Sequence, residues 1–448
     1  MISDGLIVVA KKDCPTCLMI QPVLEQLQQS GVSLAIYTQD DPAFPSGLNP
    51  LDDRSLETSF KLGVEIVPTL IKMEKGHEVG RTYGWHRPDW ESLTGIRKLG
   101  EQLPESRPGC GSKSVETNIE EELSIRFGKD QFHSRGLTVP EGRDAVEMCF
   151  DQGWTDGLPV VPPTQVRVLR MLRGTKRSSN DTLGLAPPAL SNCTVEKAAI
   201  NAVMAGCLPE YFPVVIAALE SVLDPDFAMH GVLATTDFAS PIVIVSGDIG
   251  KRIGMNCGVN ALGQGCRANA TIGRAVQLVI RNVGGGVPGG IDRATIGQPG
   301  KYTYCLFEDE SDSDWEPFRV DRGFSHTSST VTTFAGGGVH GIWTDSARTP
   351  EEVIEAKGEW LRRIGFYPKI IGHALVVISP EHYRIYNEAG WDRHKIKDAL
   401  VEASGGQIHK EGLLLVRAGG PAGLQAAAIA GWGVGERGSN PITTEIDR

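Results

Sequence analysis

The sequence predicts an α/β protein in two parts, a small N-terminal domain and a larger C-terminal domain whose topology is left open. Short apolar runs typical of buried strands alternate along the chain with segments whose apolar residues recur at helical spacing. The chain has 448 residues, which is too long for one ordinary hydrophobic core. Residues 101–135 are polar and rich in proline, glycine and serine, so we predict a linker there between domains at 1–100 and 136–448.

The predicted elements of the N-terminal domain follow the order β-α-β and then β-β-α. Residues 5–10 form a short apolar run bounded by polar residues, which is typical of a buried strand. Residues 18–31 carry apolar side chains at helical spacing and end at a glycine, a residue that commonly follows a helix. The remaining predicted elements are a strand at 33–40, a hairpin at 64–85 and a helix at 89–99.

Cys14 and Cys17 form a Cys-Pro-Thr-Cys motif between the first predicted strand and the first predicted helix. At a helix N-terminus, unpaired backbone N–H groups and the helix dipole favour an anion, which lowers the pKa of a thiol such as Cys14. Cys17, one turn later, can attack a mixed disulfide at Cys14 and release the bound partner. Because no other cysteine pair in the sequence has the spacing of a four-sulfur zinc site, a redox role is favoured over half of a zinc site.

Together with Val67-Pro68-Thr69, the Cys-Pro-Thr-Cys motif resembles the active site of the thioredoxin family. The resemblance implies that Pro68 is cis, lies beside the cysteines and follows backbone that pairs with a bound partner. Thioredoxin itself carries Trp-Cys-Gly-Pro-Cys, whereas Asp13 precedes the first cysteine here, and we expect this acidic neighbour to oppose the thiolate in part. The alternative is a thioredoxin fold that only docks a partner.

In the C-terminal domain, strands again alternate with helices, which predicts a second α/β unit. The predicted strands are 241–247, 373–379 and 412–417. The predicted helices are 195–206, 212–223, 267–282, 381–389 and 394–403. The order of these elements does not fix how the strands pair.

A glycine- and asparagine-rich loop at residues 254–266 is the clearest candidate ligand site of the C-terminal domain. Free N–H groups in such a loop, leading into a helix, can bind a phosphate or carboxylate, although a purely structural loop is the alternative. The side chains that could bind a small anionic substrate are Asn256, Asn260, Arg267, Asn269, Arg274, Arg293 and Lys301. The candidate reactive thiols are Cys257 and Cys266, which flank this loop, and Cys193, at the entrance of another predicted helix.

Composition and motifs argue against several classes of function. The net charge of −11 is spread along the chain, and nucleic acids and anionic membranes need clustered Lys and Arg instead. The sequence has no apolar run long enough to cross a bilayer and no signal-peptide pattern at its start, so we expect a cytoplasmic protein whose nine cysteines are thiols. No zinc-type histidine spacing and no complete nucleotide-binding fingerprint occurs, so we predict no metal and no cofactor.

Four segments of the C-terminal domain, DGLPVVPPT, CTVEKAAINAVMAGC, GVNALGQGCRANATIGRA and DRATIGQPGKYTYC, resemble a bacterial family with poorly defined biochemistry. Members of that family can carry a thioredoxin-like domain and are associated with small UGSC-motif selenoproteins. This chain has no Cys-Gly-Ser-Cys, and its nearest string begins at Cys110 in the predicted linker. The resemblance therefore implies that any UGSC-type group comes from a separate subunit.

The pattern as a whole predicts a thiol-based oxidoreductase. Cys14 and Cys17 would supply electrons to a C-terminal cysteine site that acts on a small anionic substrate, and a thioredoxin-reductase-type enzyme would re-reduce them. One alternative is a hydrolase or lyase that uses a C-terminal cysteine, or Glu and His, with an accessory thioredoxin-like domain. Another is a non-catalytic subunit of a larger redox complex. We also expect the chain to form homo- or hetero-oligomers.

Overall fold

The structure, a computed structural model, describes residues 4–128, 132–364, 372–433 and 438–447. It mixes helices with strands, which confirms the predicted α/β class. The chain divides into two units, Met1–Gln131 and Phe132–Arg448, each with its own hydrophobic clusters. The boundary lies near the C-terminal end of the predicted linker.

The first unit contains nine short strands and five helices among its described residues. Its strands are β1 (Gly5–Ala10), β2 (Leu34–Thr38), β3 (Leu51–Asp52), β4 (Ile66–Val67), β5 (Thr69–Glu74), β6 (His77–Tyr83), β7 (Trp85–His86), β8 (Ser106–Arg107) and β9 (Cys110–Gly111). Its helices are α1 (Pro15–Met19), α2 (Gln21–Gln29), α3 (Glu57–Lys61), α4 (Arg87–Thr94) and α5 (Thr117–Phe127). The predicted strands, hairpin and closing helix are therefore confirmed, while the predicted first helix is divided at Ile20.

The main sheet of the first unit has the strand order β3-β2-β1-β5-β6. The central strand, β1, is parallel to β2 and antiparallel to β5, so both of its edges are paired. Alternate residues of a strand point to opposite faces. Leu6 and Val8 pack in the cluster that includes α2, while Ile7 and Val9 pack in the cluster that contains Cys14 and Cys17. The two cysteines thus lie against one face of the central strand.

Residues 106–127 of the segment predicted as a linker are folded onto the first unit. Strand β8 pairs with β7, strand β9 pairs with β4, and α5 packs against α3. The segment is held largely by backbone pairing and buried hydroxyl groups, since Ser112 and Ser114 are buried. Apolar periodicity does not report such contacts, which is why the composition suggested a flexible connection.

The second unit is larger and contains eleven helices and nine strands within the described ranges. Its strands are β10 (Thr182–Ala186), β11 (Ser191–Thr194), β12 (Ser240–Ser246), β13 (Cys305–Phe307), β14 (Thr330–Trp343), β15 (Gly372–Ile378), β16 (Ile408–Arg417), β17 (Gln425–Gly431) and β18 (Ile442–Glu445). Its helices are α6 (Ala145–Asp151), α7 (Gln165–Leu172), α8 (Val195–Ala205), α9 (Phe212–Leu223), α10 (Met229–Ala234), α11 (Asp248–Arg252), α12 (Arg267–Asn282), α13 (Phe318–Asp321), α14 (Pro350–Ile364), α15 (Pro380–Glu388) and α16 (Arg393–Ala403). Every helix and strand predicted for this region is confirmed to within a few residues.

A seven-stranded mixed sheet forms the centre of the second unit. Its order is β13-β12-β14-β17-β15-β16, and β18 pairs with part of β14. Strands β12 and β13 are parallel, as are β15 and β16, whereas β14 and β17 join the two pairs through antiparallel ladders. Strand β12 is buried along its whole length, which explains why its sequence is an unbroken run of apolar and small residues. The sheet therefore carries apolar clusters on both faces.

Burial of a leucine in α5 tests whether the segment after residue 100 is part of the folded unit. Leu123 is 2% exposed, so replacing Leu123 by alanine should lower the free energy of unfolding by about 2–5 kcal/mol. Val115 lies in the same segment but is 41% exposed, and Val115→Ala is the matched control, with an expected change below about 0.5 kcal/mol. Urea unfolding measures both values, and equal small effects would show that the segment is a linker after all.

Candidate active site

Cys14 is held at the start of the first helix by contacts from both sides of its loop. The backbone N–H groups of Lys12 and Asp13 donate to the two carboxylate oxygens of Asp40, each over 2.8 Å, and this fixes the loop that follows β1. Cys14 itself caps α1, and its sulfur accepts a hydrogen bond from the backbone N–H of Cys17 over 3.4 Å. The cysteine that sequence reasoning proposes as the nucleophile is thus pre-positioned.

The two cysteines differ sharply in acidity. A hydrogen bond from the Cys17 thiol lowers the pKa of Cys14 to about 5, and further hydrogen bonds from Cys110 and from the backbone of Cys17 and Thr16 act in the same direction. Burial raises the pKa of Cys17 far above its usual range, and the neighbouring Cys14 adds to that increase. Cys14 is therefore the acidic sulfur of the pair, and Cys17 is the one that keeps its proton more readily. The side chain of Asp13, expected to oppose the thiolate, is exposed, and the hydrogen bonds at Cys14 outweigh it.

Pro68 lies where the resemblance implied. The Val67–Pro68 peptide bond is cis, which confirms that expectation. The carbonyl oxygen of Val67 is 3.6 Å from the sulfur of Cys14, so the proline loop and the cysteine loop are in contact. Val67 is buried in the same cluster as Cys14 and Cys17.

A third sulfur, which sequence reasoning missed, lies at this site. Cys110 in β9 is paired with Val67 in β4 and packs against the buried cluster that contains Cys14 and Cys17. Burial, followed by the hydrogen bond to Cys14, raises the pKa of Cys110. Cys110 is half-buried. The available sequence signal was a cysteine and two glycines in an otherwise polar stretch, which is too weak to place Cys110 beside Cys14.

The candidate thiols of the second unit lie in less favourable surroundings. Cys193 is fully buried in β11, and that burial raises its pKa to about 12. Burial, reinforced by Asp309, also raises the pKa of Cys257. Cys266 is half-buried at the N-cap of α12, and its thiol donates to the Gly254 carbonyl oxygen over 3.3 Å. Of the three, Cys193 is the least accessible, while Cys257 and Cys266 are both partly exposed.

The predicted asparagine loop is built by its own amide groups. The Asn269 side chain accepts from the backbone N–H of Asn256 and donates to the carbonyl oxygen of Asn256, over 2.9 and 2.8 Å. The side chain of Asn256 bonds Gly258 and Val259, and that of Asn260 donates to Gln264. The three amides therefore shape the loop and are largely committed to it.

The predicted basic residues have separate locations. Arg274 forms a bidentate ion pair with Asp156, with both distances 2.8 Å, and the ammonium of Lys301 lies 2.8 Å from both carboxylate oxygens of Asp292. Arg267 is exposed and donates to the carbonyl oxygen of Gly206. Arg293 is exposed. The structure does not gather these side chains into one anion site.

A cavity of about 540 Å³ in the second unit does include part of the predicted set. Lys301 and both acidic partners, Asp156 and Asp292, line it. Two further lining groups, Nε of Arg281 and Nε2 of Gln298, are buried and have no hydrogen-bond partner among the residues that the structure describes. Buried donors without partners are unfavourable unless a ligand or water satisfies them. The cavity is thus able to hold a polar, electron-rich molecule.

Three consecutive acidic residues after β13 form a buried ionic cluster. Glu308 pairs with Arg393 at 3.2 Å, Asp309 with Arg417 at 3.0 Å, and Glu310 with Arg319 at 2.6 Å. These three residues and their three arginine partners are largely buried. Burial raises the pKa of Glu308, while Arg393 and Ser246 oppose that effect. We interpret the cluster as structural, because each carboxylate is already neutralised by an arginine from a different element.

No helix of the described ranges is long and apolar enough to span a bilayer. Among the same residues, no three His, Cys, Asp or Glu side chains converge as metal ligands would. No protein-family model matches the chain, and no curated protein matches it either.

The acidity of Cys14 gives a direct pH prediction. The difference in ultraviolet thiolate absorbance between the protein and the Cys14→Ser variant should titrate near pH 5, with the thiolate present above that pH and lost below it. Cys149→Ser is the matched control, because burial raises the pKa of Cys149, and its difference curve should stay flat below pH 7. A Cys14 transition near pH 8.5, roughly the value of a free cysteine, would contradict the geometry.

The ionic cluster gives a stability prediction. Arg393→Met leaves the Glu308 carboxylate buried without its arginine, so the free energy of unfolding should fall by about 3–5 kcal/mol. The double variant Glu308→Gln and Arg393→Met should recover part of that loss. Arg363→Met breaks an exposed helical pair with Glu359 and should cost less than about 1 kcal/mol. Thermal or urea unfolding of the wild-type protein and the three variants measures these free energies. Equal losses for Arg393→Met and Arg363→Met would contradict the prediction.

Proposed function

We propose that the protein is a thiol–disulfide oxidoreductase whose first unit is a thioredoxin-like redox domain. The observation that carries the proposal is the pairing of an acidic Cys14 with a protonated Cys17 one turn away, where Cys17 stabilises the Cys14 anion. A thiolate is the nucleophile in disulfide exchange, and a protonated neighbour prevents both sulfurs from carrying charge. The position of Pro68 beside the pair supports the same proposal.

The exchange follows from the acidities of the two sulfurs. The Cys14 thiolate attacks one sulfur of a disulfide that is brought to it, so that a mixed disulfide forms and the other sulfur of that disulfide leaves as a thiolate. Cys17 then attacks Cys14, the mixed disulfide breaks, and the second partner sulfur leaves with the proton of Cys17. The partner gains two electrons and the Cys14–Cys17 pair becomes a disulfide.

Electron delivery to a cysteine site in the second unit is part of the proposal. Cys257 and Cys266 are preferred as acceptors over Cys193, because Cys193 is fully buried. The small anionic substrate would occupy the cavity that Arg281 and Gln298 line, since both offer buried donors that nothing else in the described structure satisfies.

A reducing, cytoplasmic environment and outside redox partners complete the proposal. All nine cysteines are free thiols, as such an environment would keep them. A thioredoxin-reductase-type enzyme would return electrons to Cys14 and Cys17. A second subunit, of this chain or of another, would carry any UGSC-type group.

The low pKa of Cys14 predicts the reduction potential of the pair. Stabilising the thiolate stabilises the reduced form, so the couple should be more oxidising than thioredoxin, with a potential above about −270 mV. Titration in glutathione buffers, followed by alkylation and mass spectrometry, measures it. Cys14→Ser should lose the transition and Cys149→Ser should keep it. A potential at or below that of thioredoxin would count against the proposed chemistry.

A further inference from the structure

The Cys14–Cys17 pair is enclosed by the protein. Cys14 is 1% exposed and Cys17 is 0% exposed, so no outside disulfide can reach either sulfur in this conformation. Disulfide exchange needs the attacking sulfur to approach the attacked one directly. Cys110 is half-buried and is therefore the most accessible sulfur of the three.

The covering segment, residues 106–116, is anchored to the edge of the active site by specific contacts. Thr16 donates to the carbonyl oxygen of Pro108 over 2.6 Å, and Lys11 donates to that of Gly111 over 2.9 Å. Ser114 donates to the carbonyl oxygen of Val64 over 2.8 Å. The covering segment is therefore bound at three places: by the helix that carries Cys17, by the loop before that helix and by the backbone beside the proline loop.

Cys110 lies at the point of the covering segment nearest to Cys14. Strand β9 pairs antiparallel with β4, which puts Cys110 opposite Val67, the residue before Pro68. The carbonyl oxygen of Val67 is also the group that contacts Cys14. Cys110 consequently packs against the buried cluster that contains Cys14 and Cys17. A third cysteine of this chain therefore lies beside the reacting pair.

We propose that Cys110 is a third catalytic cysteine, through which the buried Cys14–Cys17 pair exchanges disulfide bonds with outside partners. The proposal rests on the thiol–disulfide function proposed above. Cys110 would react with the outside partner, and Cys14 would then react with Cys110.

The sequence of steps balances atoms and electrons. Cys110 passes its proton to the Cys14 thiolate and attacks an outside disulfide, so that a bond to one partner sulfur forms and the other leaves as a thiolate. Cys14 then attacks Cys110, the Cys14–Cys110 bond forms, and the partner sulfur leaves and takes the proton of Cys14. Cys17 finally attacks Cys14, and Cys110 leaves and takes the proton of Cys17. One outside disulfide is reduced and one Cys14–Cys17 disulfide remains.

A single-turnover reaction of the reduced full-length chain with glutathione disulfide tests the relay. Samples are quenched by alkylation, and peptide mapping identifies each disulfide. The wild-type protein should end with a Cys14–Cys17 disulfide, and Cys110→Ser should form it more slowly by a factor of about ten or more, because the tethered intermediate is lost. Cys149→Ser, a buried cysteine of the second unit, should react at the wild-type rate.

The Cys17→Ser variant gives an independent readout in which Cys110 is intact. It should stop at a Cys14–Cys110 disulfide with no glutathione attached to either sulfur. The relay is wrong if Cys17→Ser instead keeps glutathione on Cys14 and Cys110→Ser reacts at the wild-type rate, although the proposed function would then stand. If Cys14 forms no disulfide in any protein, wild type included, both proposals fail.

Discussion

The hydrogen bonds at the Cys14 sulfur are the interaction on which the proposed chemistry of the first unit depends. Burying a negative charge is unfavourable unless donors surround it. Here the donors are a thiol one turn ahead, the backbone N–H groups of the same turn and a thiol from a distant strand. Their combined effect exceeds the penalty of burial and lowers the pKa of a thiol that is almost completely buried. Position and charge of this sulfur are thus set together by the same contacts.

The position of the Cys-Pro-Thr-Cys motif between a strand and a helix was predictable because its signals are local. A strand, two cysteines one turn apart and a proline after an apolar run are each visible within a few residues. The cis state of Pro68 followed from the resemblance to a known family. The α/β class and most elements of the second unit followed from apolar periodicity, which reports burial directly.

Contacts between distant residues were not predictable. Arg274 looked like a free cation in a ligand loop, yet Asp156, 118 residues earlier, neutralises it. Lys301 is likewise paired with Asp292. The sequence predicts a linker around Cys110 because this segment has no apolar pattern. It is held instead by backbone pairing and by buried hydroxyl groups. A charged or polar residue shows its chemistry in the sequence, but its partner depends on the fold.

The close approach of Gly84 and Gly109 has a consequence of its own. A Cβ atom on Gly109 would lie 2.4 Å from Cγ2 of Ile66 and 2.7 Å from the carbonyl oxygen of Val67, and one on Gly84 would lie 2.8 Å from the nitrogen of Gly109. The backbones of Gly84 and Gly109 are in contact beside the proline loop, so even an added methyl group would push them apart. This change would displace strand β9, which carries Cys110, without altering any cysteine. Steric bulk one residue away from Cys110 would therefore change the distance between Cys110 and Cys14.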